Sequence, residues 1–594
     1  MKFHFIPLLF FLASPAASLS LNVVYPAEGA VIAAEAIDST FIFGLVQPSD
    51  AELIINGTPV EAWSNGAFLA FLPLPGDHEC YHCRAVHRGD TLEMTRHVRI
   101  RGRGIYERPQ IDRNSIYPAD SLELFPGELF CPQFRGTSGC RAAFRFEQDE
   151  TWYPMVEQRH SPFYWGEAVF GRQKSVEGSP FMTLYRGCTK LSAPQHQRLH
   201  FRLAGPAGDT LLISPPAVVN AVRRELPRIA ELLPEWSSLR SAPDGAYVLF
   251  LPRGVRLKIT GRNGGYYRVR LSEHELAWVR AQDIRFAAPG TPPSRARIEL
   301  IRVKEDENRI RIRLFTRTRI PYRIVQDDLH PLLRLTLYDC FSDLDWIRYT
   351  GSVSAAGDIR WQQRGDDVLD LRISLNMAHQ WGFSAGYDEE DQLCLDIKKP
   401  PDVAGWPSSP LKNRTVLLDP GHAPEDGAVG PTGMKEKDAN LLLARALGAK
   451  LREKGAHVFF SRQDSHGIAL GTRVQLARIL NPDVFLSLHH NGLPDGVDPF
   501  KNRGSSTYYY HAQSRRLARM IHDELIEKLK LPDYGLFYDN LAVCRLTCAP
   551  AVLIEPAFII HPDEEMMIAT DKYRESCSDA IVRALSRFFQ SARR

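Results

Sequence analysis

No segment of this 594-residue chain is apolar for long enough to cross a bilayer, which takes about 20 residues in a helix. Net charge is scarce too. The 73 Lys and Arg against 70 Asp and Glu leave +3 at pH 7, too little to argue for nucleic acid as a partner. The basic run from Arg96 to Arg103 reads as a solvated strand and linker rather than an anion patch. Bias toward disorder is missing, since 44% hydrophobic and 24% charged residues are ordinary for folded protein. The sequence also lacks a second ligand pair to match His78, Cys80, His82 and Cys83, which a structural zinc site normally needs. In a strand, Cys80 and Cys83 would face opposite sides.

What is present begins at the N-terminus. Lys2 and His4 precede an apolar run from Phe5 to Ala13, followed by the small residues Ser14, Ala16, Ala17 and Ser18. This reads as a signal peptide over residues 1–20, cleaved near Ser18 to Ser20. No Cys follows it to carry a lipid. The expectation is an exported protein of the periplasm or cell envelope, with no membrane span. Export permits disulfides among the ten Cys. Cys131 and Cys140 are spaced to close a hairpin, although sequence leaves the connectivity open.

The length predicts about four domains. Residues 21–110 carry short β-rich runs around an Asn56-Gly57 turn, the spacing of an immunoglobulin-like sandwich. Residues 111–215 are β-rich and unclassified; the crowding of Trp152, Tyr153, Phe163, Tyr164 and Trp165 reads as core. In 216–290, Pro216 and the spacing of Val218, Val222 and Leu226 predict a connecting helix over 216–226. Short strands around Gly turns follow it, and they resemble the Src-homology-3-like barrels of cell-wall enzymes. Residues 291–399 alternate like a β-sandwich and look like the targeting domains that precede many exported amidases. Residues 400–412 form a stiff Pro-rich linker. From 413 to 592, strands alternate with helices, which predicts an α/β domain with a mostly parallel twisted sheet. The fold class is thus multidomain, with N-terminal all-β modules followed by a C-terminal α/β catalytic domain.

Four short segments of that last domain carry the chemistry. They are Asp419-Pro-Gly-His422, the run around Glu436, Ser487-Leu-His489-His490-Asn491, and Val552-Leu-Ile-Glu555. His422, His489 and Glu555 fall at predicted strand ends and Glu436 opens a helix, so they should meet at one rim of an open sheet. Two imidazoles and a carboxylate are what a catalytic Zn²⁺ takes from a protein while leaving a position for water. His422, Glu436 and His489 are therefore assigned as ligands and Glu555 as general base. His490 should point to the opposite face. Metal binding requires neutral imidazole, so activity should fall on acidification.

These segments, together with Gly433 to Asn440, Arg462, Asp464, Arg473 and Pro550 to Glu555, resemble the zinc-dependent N-acetylmuramoyl-L-alanine amidases of the third amidase family. The resemblance covers about the last third of the chain. It implies hydrolysis of the amide between the muramoyl lactyl group and L-alanine in peptidoglycan. Tyr534-Gly535 stands where Arg-Gly is common, and Ala557 where Gly is usual; both bear on substrate preference. The segment from His489 to Gly504 is short and leaves little room for the inhibitory helix that some relatives insert there. Arg462, Arg473 and Asn491 are candidate substrate contacts, with an internal ion pair the alternative for the arginines. An activator or divisome protein is a candidate partner beside peptidoglycan. The rival functions are a silent or occluded wall-binding protein and a zinc peptidase acting on another wall amide.

Two bland readings complete the sequence. Gly382-Phe-Ser384-Ala-Gly386 fits a serine-hydrolase elbow, but a strand rather than a helix follows, so a hairpin is expected. Cys544 and Cys548 either pair with each other or pack as small apolar groups.

Overall fold

The computed structural model describes residues 18–33, 37–76, 79–101, 108–158, 182–191, 195–222, 228–403 and 408–593. The signal-peptide reading falls almost wholly outside these residues, as do His78, Phe163, Tyr164 and Trp165. Among the described residues, no helix is long and apolar enough to cross a membrane.

The first module pairs a three-stranded sheet (Ser20–Tyr25, Ser39–Gln47, Ala67–Pro73) with a five-stranded one around a shared apolar core. The next strands, from Ile111 onward, pack around an apolar core of their own. Leu122–Leu124 pairs antiparallel with Arg256–Asn263 of the following barrel, so one sheet path runs through both. The helix expected over 216–226 is corrected here, because Val218–Ala221 is a strand between Leu122–Leu124 and Gln195–Ala204. The four-residue spacing that suggested a helix is also an even spacing. In the strand it is Val219 and Ala221 that face inward, while Val218, on the other side, is half-buried. The Cys131–Cys140 pairing is corrected too: Cys131 is bonded to Cys188 across 57 residues and Cys140 is a buried thiol.

The barrel and the following two-sheet sandwich (Ala296 to Lys398) share one continuous core. Phe383–Tyr387 turns back antiparallel onto Leu393–Lys398, the hairpin expected at the elbow-like string. This sandwich is locked to the C-terminal domain. Trp381, 1% exposed, packs on Phe588 and Phe589 at 4.9 and 5.9 Å, and Gln326 exchanges hydrogen bonds with Gln513.

The C-terminal domain holds a six-stranded sheet. Its spatial order is His457–Phe460, Thr415–Pro420, Val484–Leu488, Ala551–Glu555, Ser505–Tyr509 and Asp533–Tyr538. Every junction is parallel except that between Ser505–Tyr509 and Ala551–Glu555. The central strands Thr415–Pro420 and Val484–Leu488 are buried almost throughout, because apolar side chains pack on both faces of the sheet. Helices Glu436–Glu453 and Asp571–Gln590 pack together through Leu443, Leu447, Ile581 and Leu585. Three parallel neighbours, Thr415–Pro420, Val484–Leu488 and Ala551–Glu555, end on the same edge. That edge is where His422, His489 and Glu555 emerge.

Candidate metal centre

Each side chain is held by the element that delivers it. Beyond the Thr415–Pro420 strand the chain makes a sharp reversal in which His422 and Ala423 both take left-handed backbone angles, φ 62° and 67°. Such angles cost non-glycine residues about 1 kcal/mol or more each. Two buried guanidiniums brace this turn. Arg473 donates to Asp419 Oδ1 at 2.6 Å, to the Pro420 carbonyl at 2.8 Å, and to the carbonyl of His422. Arg462 donates to the carbonyls of Pro420, Gly421, Lys437 and Asp464 at 2.7–2.9 Å. Behind them Asp419 also accepts from the hydroxyls of Ser461 and Ser487. Both arginines are 4% exposed. Of the two readings open for these arginines, the internal one is what Arg473 makes with Asp419, and both guanidiniums brace the His422 turn through backbone carbonyls.

Glu436 is the first residue of its helix, where the N-terminal partial charge favours a carboxylate. Its Oε2 accepts from the Ala428 amide at 2.8 Å. Its Oε1 accepts from the His490 amide and from Asn440 Nδ2, both at 3.2 Å. The imidazoles approach the same carboxylate from two sides. His422 Nε2 lies 3.0 Å from Oε2 and His489 Nδ1 2.9 Å from Oε1, with ring centroids 4.9 Å apart. The three ligand-type atoms fall within 4.8 Å of one another. Burial by itself would raise the Glu436 carboxyl, but the two imidazoles hold it well below the ordinary range. Burial would lower His422; the hydrogen bond and charge of Glu436 outweigh it and raise the imidazole.

Glycine is required beside this cluster. A Cβ on Gly421 would lie 2.1 Å from His489 Cε1. One on Gly427, at φ 71°, would lie 2.5 Å from Glu436 Oε2 and 2.6 Å from the His422 ring. The loops close so tightly on the three side chains that only backbone fits around them. Two nitrogens and a carboxylate oxygen gathered within 4.8 Å suit Zn²⁺, a borderline-soft cation, better than a hard one that demands oxygen alone.

Glu555 ends the Ala551–Glu555 strand on the same edge. Its Oε2 is buried without a hydrogen-bond partner. Burial, and then the charge of Glu436, push its carboxyl well above the ordinary range. His490 turns away from the cluster and hydrogen bonds to Asn440 Oδ1 at 2.7 Å; burial pulls its imidazole down to about 4. Asn491 sits between the two strand ends. Its amide and carbonyl pair with Ala557 and Ile559, and its side chain donates to Ser506 Oγ at 3.0 Å. Cys544 and Cys548 are buried free thiols. The sequence reading named Asp419 and Asn440 only as members of longer motifs and gave neither a role. The signal for Asn440 was present, since it stands one helical turn beyond Glu436 and so on the same face.

Residues 416–587 match a family model described as N-acetylmuramoyl-L-alanine amidase. The chain is 32% identical over 224 residues to a Staphylococcus aureus protein named "Probable cell wall amidase LytH", covering 37% of this chain and 72% of that one. It is 34% identical to the uncharacterised YqiI of Bacillus subtilis (strain 168), over 31% of this chain and 88% of the other. To YrvJ of the same organism it is 35% identical over 193 residues, 32% of this chain but only 37% of that protein's length. The β modules lie outside the matched family segment.

Proposed function

The chain belongs to the N-acetylmuramoyl-L-alanine amidase family, and from that premise we propose that it hydrolyses the amide joining the muramoyl lactyl group to L-alanine in peptidoglycan. The observation that carries this reading is the convergence of His422, Glu436 and His489 on one point, with Glu555 on the same sheet edge. His422, Glu436 and His489 would hold Zn²⁺, which when bound supplies Lewis acidity toward a carbonyl and acidifies water. The protein's own groups then divide the proton traffic. Glu555 takes a proton from the attacking water and passes it to the nitrogen of the departing L-alanine, as one group serving first as base and then as acid. A carboxyl raised by burial suits this exchange better than one with an ordinary value, because its proton affinity lies nearer neutrality. Arg473 and Arg462 keep the His422 turn in place. Asn491, fixed just past His489, is carried forward as a candidate substrate contact.

The test is to incubate the purified chain with peptidoglycan and identify the released products by mass spectrometry. Free stem peptides beginning with L-alanine support the reading; cleavage at another amide replaces it with a peptidase. Glu555→Gln should lower turnover by about a thousandfold, within the usual range for a general base, while zinc content stays at the parental level. Retained turnover would remove Glu555 as the base.

A further inference from the structure

The three-stranded sheet of the first module is buried on both faces. Alternate residues part company: Ile42, Phe68 and Ala70 enter the module's own core, whereas Phe41, Phe43 and Leu69 enter the core of the α/β domain. Those last three are each 3% exposed. Tyr25 completes the outer face, its ring 5.0 Å from Phe41 and 5.6 Å from Phe43. Such a face on a free module would be a contiguous apolar patch of the kind monomers avoid exposing. The contact is therefore built as a permanent one.

The polar contacts bordering this face reach the two segments that leave the candidate centre. Tyr25 Oη and Thr40 Oγ1 both donate to Asp495 Oδ1 at 2.6 Å. Asp495 belongs to the segment that starts at Asn491, directly after His489 and His490. Trp63 Nε1 donates to Asp563 Oδ1 at 2.7 Å, with its indole edge-on to His561 at 6.0 Å. Phe500 meets the same imidazole at 6.1 Å. His561 and Asp563 open the helix Pro562–Ile568, which follows Glu555. The two segments are also tied to each other by the Asn491 amide and carbonyl. One module thus grips both.

We propose that the first β module is a fixed part of the catalytic edge, and that Tyr25, Thr40 and Trp63 are positioning residues acting on Asn491 and Glu555 through Asp495 and Asp563. The proposal rests on the amidase reading above. Its physical basis is that reacting groups displaced by about 1 Å lose up to a hundredfold in rate, and the 491–504 segment has little regular structure of its own to resist such a shift.

The test uses the full chain carrying Tyr25→Phe with Thr40→Val, which leaves every residue of the α/β domain unchanged. The expected result is at least a fivefold fall in kcat on peptidoglycan, parental zinc content, and faster amide exchange in residues 491–504. Tyr25→Phe with Thr40→Ser, which returns one of the two donors to Asp495, should recover part of the lost kcat. Trp63→Phe keeps the ring and removes its donor; it should speed exchange in Pro562–Ile568 and lower kcat, and it serves if the double variant does not fold. Parental kcat overturns the proposal whatever the exchange shows, and so does a lower kcat with unaltered exchange. If the parent chain releases no L-alanine-terminated peptides, it is the amidase reading that fails, and exchange in 491–504 alone decides whether the module grips the edge.

Discussion

Replacing Arg473 by Met keeps most of the side-chain volume and removes the fork that braces the His422 turn. In the folded chain this guanidinium makes a buried ion pair with Asp419, which is 1% exposed, and reaches the carbonyls of Pro420 and His422. Breaking a buried pair by deleting one partner costs about 3–5 kcal/mol, because the other charge is stranded. Asp419 would still accept from Ser461 and Ser487, so a value near the lower end, about 3 kcal/mol, is expected. A second effect is separable. His422 and Ala423 sit at positive φ, and without Arg473 the turn loses its anchor and relaxes toward unstrained angles. If relaxation must be undone on metal binding at a cost of about 1.4 kcal/mol, zinc affinity falls about tenfold. Urea unfolding of the full chain and zinc competition against a chromogenic chelator measure the two effects. Arg473→Lys should fall between, since a point charge cannot reach all three acceptors. An unfolding free energy within 0.5 kcal/mol of parental, together with unchanged zinc affinity, would refute the bracing argument.

Two further perturbations test other parts of the centre. Gly421→Ala would place a Cβ 2.1 Å from the His489 ring, so the imidazole must swing away; elemental analysis should find less than half the parental zinc, and full occupancy would contradict the packing described. At His561, burial and then the Arg503 charge pull the imidazole down to about 4 from its ordinary 6.5. The unfolded chain therefore takes up a proton below pH 6.5 that the folded chain refuses until about pH 4. Stability is full above pH 6.5 and is lost on acidification through that window, by about 2 kcal/mol at pH 5 from this residue. His561→Gln should shrink the difference in unfolding free energy between pH 7 and pH 5 by that amount. An unaltered difference would show that His561 is not buried as a neutral ring.

The α/β domain was legible because its signals were local and redundant. Leu443, Leu447 and Leu451 mark one helix face, and the apolar runs at Thr415 and Val484 mark buried parallel strands. The stretch from Val218 failed for a physical reason: an i, i+4 spacing satisfies both a helical face and one side of a strand, and only pairing with Gln195–Ala204 decided it. The Cys131 partner was unreadable because a bridge spanning 57 residues depends on tertiary closure. Arg462 and Arg473 were recognisable as part of the constellation, but direction was not. A guanidinium suits a substrate carboxylate and a cluster of backbone carbonyls equally well, and burial alone tells them apart.

The sequence by itself was enough to name His422, Glu436, His489 and Glu555 as the candidate donors. Two imidazoles and two carboxylates at strand ends and a helix start leave few chemistries open, because their identities and local elements are written in short range. Tertiary structure decided what no local pattern encodes: that both arginines face inward, that Glu555 has one oxygen buried without a partner, and that Phe41 and Phe43 cover the domain carrying the site. Those outcomes depend on which surfaces meet across hundreds of residues. Burial, which sets proton affinities and fixes loops, is a property of that meeting.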